Sequence, residues 1–402
     1  MNQDRKYSLI VTILCVLLLI ALCGLYLLGL QQYKLKEYLP IMQAVGIIQD
    51  NYFYYDESVH GSTLVDNAID GLVSGTGDKY AEYYTEEEYK ELLKDQSNTF
   101  VGIGISIAAP DETGALILKV FEGSTMEQAG VLPGDIALKI NGKETAGLTM
   151  EEMLALFSDG DKAKDTLLIL RGSESFTVTV GKSEVYAPYV SYEMVTDSVG
   201  YIKIDGFFGR VVSEMKNAME ALVSQGMQSV IIDVRDNPGG GLNESLEVSK
   251  LFLHKGDLIV TIMARNEQEE SYSAKADGYD LPVTILVNKE SASGSELFTA
   301  ALRDNGRAVV VGKKTYGKGI VQSFFKIRAN GGYVKITTDA YFTPKGVNIH
   351  HIGITPDIEV DLPEEYKDAI VAVVPREQDT QLDTAIRAAE YQIEMNGAED
   401  AA

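Results

Sequence analysis

Cysteine is nearly missing from this 402-residue chain: only Cys15 and Cys23 occur, both inside one apolar run. The body therefore has no thiol nucleophile, no cysteine metal site and no disulfide. Histidine is almost as scarce. His60, His254, His350 and His351 are the only four, and none sits in the apolar-strand and glycine setting that would mark a base for a serine. No GxSxG occurs either. Basic residues are outnumbered, 35 Lys and Arg against 59 Asp and Glu, for a net charge of −24. Residues 1–36 contribute +3 (Arg5, Lys6, Lys34 and Lys36 against Asp4), which leaves −27 for the remainder. An acidic body without a Lys/Arg cluster excludes nucleic acid as a partner. The adjacent His350 and His351 point opposite ways on an extended chain and lack a third ligand, so no metal is expected. No GKS/GKT and no GxGxxG is present, so no cofactor is called for.

What is present begins with a charge-free stretch. Residues 7–33 carry no charge, and the run 10–30 is dominated by Leu, Ile and Val. That exceeds the roughly 20 residues that span a bilayer. A cleavable signal has a shorter apolar core, of about 7–15 residues, and a small-x-small site. Ala21-Leu22-Cys23 is a poor version of one, and Leu22 spoils a lipoprotein signal. The expectation is a retained single-span membrane anchor. Basic residues flank both ends and leave its orientation open.

The chemistry concentrates in residues 283–322. An apolar run at 283–287 reads as a strand covered on both faces, 288–291 as a turn, 295–303 as a helix, and 307–311 as a second buried strand. Leu297, Phe298, Ala301 and Leu302 give the helix one apolar face. Ser291, Ser293 and Ser295, with Gly294 among them, occupy the turn where strand becomes helix. A serine there can expose its hydroxyl beside free N–H groups at the positive end of a helix dipole, which suits a nucleophile whose reaction develops an oxyanion. Ordinary N-cap serines would look the same. With no histidine placed as a base, lysine is the other option, since desolvation can bring it from about 10.4 towards neutrality. Lys318 lies between Gly317 and Gly319 just past an apolar strand, whereas Lys313 and Lys314 sit together as a solvated pair would.

Ser-Ala-Ser-Gly-Ser-Glu followed by Thr-Tyr-Gly-Lys-Gly-Ile-Val-Gln resembles the carboxyl-terminal processing (tail-specific) proteases, Ser/Lys-dyad peptidases of the S41 type. The resemblance implies Ser293 as nucleophile, Lys318 as base and Gln322 as the residue that orients the lysine. Gly294 departs from the alanine usual there. The segment Asp233-Val234-Arg235-Asp236-Asn237-Pro238-Gly239-Gly240-Gly241 matches the family's DxRxNPGG, which supplies one oxyanion-hole donor, here Gly239 or Gly240. The second donor would be the N–H of Gly294. Gly353-Ile354-Thr355-Pro356-Asp357 is another shared segment.

The resemblance extends upstream. Gly102-Ile103-Gly104-Ile105, about thirty residues before Ala129-Gly130-Val131-Leu132-Pro133-Gly134-Asp135, looks like a PDZ domain. Its Gly102–Ile105 loop would offer N–H groups to a peptide's terminal carboxylate while the peptide adds as a strand beside 105–107. Ile103 and Ile105 would line an apolar pocket, so the expected partners are protein or peptide substrates with apolar carboxyl-terminal tails. Arg171 matches a family position linked to coupling PDZ engagement to the active site, and would equally serve as a surface arginine at a strand end. Residues 100–107 read as one strand.

The expected fold class is α/β: a mixed-sheet ClpP/crotonase-like protease core with an inserted PDZ domain, flanking helices and one N-terminal transmembrane helix. The domains are 1–36 (anchor), 37–96 (helical region packing on the core), 97–185 (PDZ), 186–365 (catalytic) and 366–402 (helical tail). The tail helix, 379–395, carries Leu382, Ile386, Ala389 and Ile393 on one face and would dock on its own chain or pair with a partner. The resemblance further implies a homodimer built through the helical region, and a catalytic body outside the cytoplasm at the cell membrane. Two other classes fit parts of the pattern: a catalytically silent PDZ scaffold, and a hydratase- or acyl-transferring enzyme on a similar glycine-rich sheet.

Overall fold

Apolar residues at three- and four-residue spacing make Leu39–Asn51 (α1) and Glu57–Ser74 (α2) helices, the first opened by a proline whose missing N–H costs nothing there. These are the first long elements of a computed structural model that describes residues 16, 17, 19, 38–158, 164–367 and 369–400. Apart from three residues, the proposed anchor lies outside the described residues. Among those described, no helix is long and apolar enough to cross a membrane.

The chain divides into two compact units, one of residues 1–85 with 326–335, the other of 86–325 with 336–402. The first contains α1, α2 and the strand Glu82–Tyr84 (β1), which pairs antiparallel with residues 333–335. Tyr83 Oη donates to Asp66 Oδ1 on α2 at 2.6 Å and accepts from Asn330 Nδ2 at 2.7 Å. This short strand was not foreseen. The helix Glu86–Gln96 (α3), expected with the same region, belongs to the second unit.

Residues 99–186 of the second unit carry their own core. Thr99–Gly102 (β2), Ile105–Ile107 (β3), Ala115–Val120 (β4), the short helix Thr125–Gln128 (α4), Ile136–Ile140 (β5), Lys143–Glu144 (β6), the helix Met150–Leu154 (α5), Lys164–Arg171 (β7), Glu174–Gly181 (β8) and Ser183–Tyr186 (β9) follow in order. Strands β3-β4-β5-β7-β8 form an antiparallel sheet with β6 beside β5, and β3 lies at its edge. Ile117, Met126, Ile140, Met153, Leu167 and Ile169 fill the space between sheet and helices. The expected single strand over 100–107 is in fact two. Gly104 adopts φ +86, and a side chain there would run into Ser124, so the chain breaks. Its first half pairs with β9 and its second with β4.

The remainder is the layer that positions the site. Val190–Met194 (β10), Val199–Ile204 (β11), the helix Val211–Ser224 (α6), Ser229–Asp233 (β12), the helix Leu242–Ser249 (α7), Leu258–Ala264 (β13), Glu269–Ser273 (β14), Val283–Val287 (β15), the helix Gly294–Asp304 (α8), Ala308–Gly312 (β16), Ile320–Lys326 (β17), Tyr333–Phe342 (β18), Ile358–Glu359 (β19) and the helix Thr380–Asp400 (α9) complete the chain. The central sheet runs β10-β11-β12-β15-β16-β19, parallel except for β10. Every residue of β12 and β15 is buried, as strands covered on both faces require. Ile202, Ile232, Ile285 and Val310 face the core shared with α6, α7 and α8. Val199, Ile231, Leu286 and Val311 face Leu382, Ala385 and Ala389 of α9. The tail helix therefore docks on its own chain, as the second cover of the sheet.

Candidate active site

Two turns leave the carboxyl ends of the neighbouring strands β12 and β15, where parallel sheets place their ligands. The three serines of the second turn separate by burial. Ser291 is fully buried, its Oγ donating to Val234 O at 2.7 Å and accepting from Asn288 N. Ser295 is fully buried, its Oγ donating to Asn237 O at 2.9 Å. Both pin the β15 turn to the β12 turn. Ser293 alone is partly exposed. It also has φ +52 and ψ −112 as the N-cap of α8, a conformation that non-glycine residues adopt only when their surroundings enforce it. Such a sharp strand-to-helix turn lifts a side chain clear of the helix it begins.

The enforcing group is Glu296, which the sequence reading passed over. Its side chain is fully buried, yet both carboxylate oxygens are used twice. Oε1 accepts from Thr315 Oγ1 at 2.6 Å and Gly317 N at 2.8 Å; Oε2 accepts from Ser293 N at 2.9 Å and Lys318 N at 2.8 Å. Ser293 and Lys318 thus bond through their backbones to one oxygen atom, which keeps their backbone nitrogens within two hydrogen-bond lengths of each other. Thr315 accepts from Ile354 N, so its hydroxyl proton is committed to the glutamate. Burial pushes the Glu296 carboxyl up, against four donors that favour its charged form.

The lysine loop is held from other sides too. Tyr316 N donates to Ser291 O, His351 N donates to Gly317 O, and Gly319 O accepts from Tyr341 N and Asn348 Nδ2. The glycines flanking Lys318 are sterically necessary. A Cβ on Gly317 would lie 2.9 Å from Gly353 N, and one on Gly319 2.6 Å from His350 N. Residues 349–354, which run into the Gly353–Asp357 segment noticed in the sequence, therefore act as the wall that shapes this loop. Tyr341, buried on β18, donates its hydroxyl to Ser293 O at 3.1 Å; burial raises its phenol well above the ordinary range, so it stays a donor. Gln322 is half-buried on β17, with an Nε2 that has no hydrogen-bond partner among the described residues.

The glycine turn after β12 meets Ser293 from the other side. A Cβ on Gly239 would fall 2.9 Å from Ser293 Cβ and 2.6 Å from Gly294 N. Gly239 N already donates to Asn237 Oδ1 at 2.9 Å. The bridge to Phe207 uses Gly239 O and Gly241 N and leaves the N–H of Gly240 out of it. Asn237 also donates to Ile204 O. Gly294, the first residue of α8, has the free N–H of a helix start.

Of the other sequence candidates, Gly102, Ile103, Gly104 and Ile105 form the connection from β2 to β3, with Ile103 buried in the small core. Arg171 grips both carboxylate oxygens of Asp135 at 2.7 Å and Gly130 O at 2.8 Å. It is thereby tied to the 130–135 turn of its own sheet.

Glycine in place of alanine at 294 has a physical cause. A Cβ there would come within 2.4 Å of Ser245 Oγ, which is itself bonded to Gly241 O. We expect Gly294→Ala to destabilise the protein by about 1–3 kcal/mol through overpacking, and Ser245→Ala in the same chain to recover most of that, as read from denaturant midpoints. Glu296→Gln places an NH₂ group against N–H donors. We expect faster hydrogen exchange at the Ser293, Gly317 and Lys318 amides, and unchanged exchange in β12.

Comparison with known proteins supplies the family. Residues 198–360, which run from the start of β11 beyond the Gly353–Asp357 segment, match the model of peptidase family S41. A probable CtpA-like serine protease of Staphylococcus haemolyticus (strain JCSC1435) is 32% identical over 353 residues, spanning 87% of this chain and 69% of the relative. A probable CtpA-like serine protease of Staphylococcus aureus (strain COL) is 32% identical over 339 residues, 84% of this chain and 67% of the relative. A solved putative S41 protease from Bacteroides fragilis NCTC 9343 shares the fold, with a TM-score of 0.53 and 16% identity over 84% of this chain and 90% of its own. A family model matched over 198–360 and relatives 32% identical over most of both chains mean that the chain belongs to peptidase family S41 and is a serine-type peptidase.

Proposed function

We propose that this protein is a membrane-anchored endopeptidase of the carboxyl-terminal processing type, which takes proteins by their tails and cleaves them with a Ser293/Lys318 dyad. The observation that carries this reading is the shared Glu296 oxygen, which brings the backbones of Ser293 and Lys318 together while leaving only Ser293 of its three serines partly exposed. Lys318 in its neutral form takes the hydroxyl proton as Ser293 Oγ attacks the peptide carbonyl. The oxyanion is met by the N–H groups of Gly240 and Gly294, Gly239 being committed to Asn237. The proton passes to the leaving amine, and water, deprotonated by the same lysine, releases the acyl group. Gln322 holds the lysine in orientation.

Tail recognition falls to residues 99–186, as a PDZ domain. Support comes from β3, which among the described residues is an edge strand of its sheet, where a peptide would add, and from the Gly102–Ile105 connection, with Ile103 and Ile105 packed in or against the small core beside it. Apolar tails fit that surface. Arg171 would relay occupancy through the 130–135 turn. The anchor rests on the apolar run 10–30, with the catalytic body outside the cytoplasm and the helical region as a homodimer contact.

The test uses the full chain in detergent, its Ser293→Ala and Lys318→Ala variants, and an unfolded protein ending in apolar or in charged residues. We expect cleavage by the parent alone, faster with the apolar tail, and a loss of about 10³-fold or more in each variant. Substantial cleavage by Ser293→Ala would refute the dyad, and equal rates on both tails would refute tail recognition. The pH–rate profile of the parent should rise through one ionisation well below the ordinary lysine value of about 10.4, because the base acts deprotonated. Activity confined to pH above about 10 would exclude a neutral lysine.

A further inference from the structure

Arg235 is the largest fully buried side chain among the described residues, and the mechanism makes no use of it. Nε and Nη2 bond Asp233, Nη1 and Nη2 take both oxygens of Asp379 at 2.9 Å each, and Nη1 also reaches Gln381 Oε1 at 3.0 Å. Arg235 O accepts from Lys203 Nζ. Asp379 and Gln381 belong to the start of α9, more than a hundred residues later. Asp379 also caps that helix, accepting from Leu382 N at 2.9 Å, and Gln381 Nε2 donates to Val360 O. The next residue is fastened to the same distant segment. Asp236 has φ +59; its Oδ2 accepts from Val371 N at 2.7 Å and its Oδ1 from Asn288 Nδ2 at 2.7 Å.

Two consecutive residues of the glycine turn are therefore bolted to the carboxyl-terminal segment, four residues before Gly240. A turn with φ values of +59 at Asp236, +104 at Gly239 and +152 at Gly240 has many alternative conformations, because two of its members are glycines. External bonds must select one. A bidentate, fully buried arginine–carboxylate pair fixes direction as well as distance. From these contacts we propose that Asp379, Gln381 and the N–H of Val371 are positioning residues for the peptidase reaction: the carboxyl-terminal segment sets the N–H of Gly240 at the oxyanion. This rests on the proposed assignment of Gly240 as a donor. It gives the segment 360–381 a catalytic effect without touching substrate.

The mildest test is Val371→Pro. Val371 opens a short 3₁₀ turn after an extended Ile370, so proline fits there and deletes only the N–H that reaches Asp236. Gln381→Ala removes one acceptor from Arg235 and leaves both of its carboxylates. Asp379→Asn is the stronger variant. Each is compared with the parent full-length protein in detergent for kcat and KM on an unfolded protein substrate, for inhibition by a peptide aldehyde, whose adduct with the serine needs the oxyanion donors, and for thermal midpoint. We expect kcat to fall about tenfold or more, as small displacements of catalytic groups do, with KM within about threefold. Inhibition by the aldehyde should weaken by the same factor as kcat/KM. Folded variants that keep kcat within about twofold would overturn the proposal, as would a fall in kcat with aldehyde affinity unchanged. If Asp379→Asn does not fold, Val371→Pro and Gln381→Ala decide. Ser293→Ala runs alongside. Its retaining cleavage would defeat the dyad itself, whereas an inactive Ser293→Ala beside fully active Val371→Pro and Gln381→Ala defeats only the positioning role.

Discussion

A single buried carboxylate, Glu296, organises the candidate active site. Glu296 is fully buried, so each oxygen must find protein donors, and among the described residues these come from the serine turn and the lysine loop. Meeting that requirement forces two segments from different strands into one place. The backbone strain at Ser293 follows from it, because its N–H must turn back to the first turn of α8. The same carboxylate would be costly if any donor withdrew. Desolvation and hydrogen bonding oppose one another here, and the balance makes the geometry sensitive rather than loose.

The second turn obeys the same logic with opposite charge. Arg235 is a buried cation that must be surrounded by anions, and Asp233 and Asp379 supply them. Burial alone would push Asp233 up, but Arg235 and Lys203 outweigh it and hold it at about 2. The two turns meet through several bonds: Ala292 N and Ser295 Oγ both reach Asn237 O, Ser291 Oγ reaches Val234 O, and Asn288 Nδ2 reaches Asp236 Oδ1. An anion clamps one loop, a cation clamps the other, and these bonds join the two turns around Ser293. The polar reacting surface remains with exposed or half-exposed groups, while the charges that shape it are kept from solvent.

The sheet gives these turns their fixed ends. β12 and β15 are apolar on both faces, which demands cover from α6, α7 and α8 on one side and α9 on the other. That demand brings the tail helix onto the sheet, and with it Asp379 to Arg235. Packing and electrostatics therefore reinforce one placement of the carboxyl-terminal segment.

Much of this was legible along the chain because its signals are local. Apolar runs bounded by turn residues marked β15 and β16 to within a residue. The serine triplet, the glycine-flanked Lys318 and the Asp233–Gly241 run pointed to the segments that meet in the candidate site, since backbone freedom and small residues leave a signature at the positions that use them. What adjacent residues do not record was decided only in three dimensions. Which of three serines is reachable depends on what buries the other two. Gly104 split an apparent strand because Ser124 crosses it, and Gly239 was separated from Gly240 by a side chain two residues earlier that claims one N–H. Glu296 and Asp379 look like ordinary helix-start acids, which is what the sequence by itself determined about them. Their work comes from partners about 20 and more than a hundred positions away, and only folding brings such partners within hydrogen-bond reach.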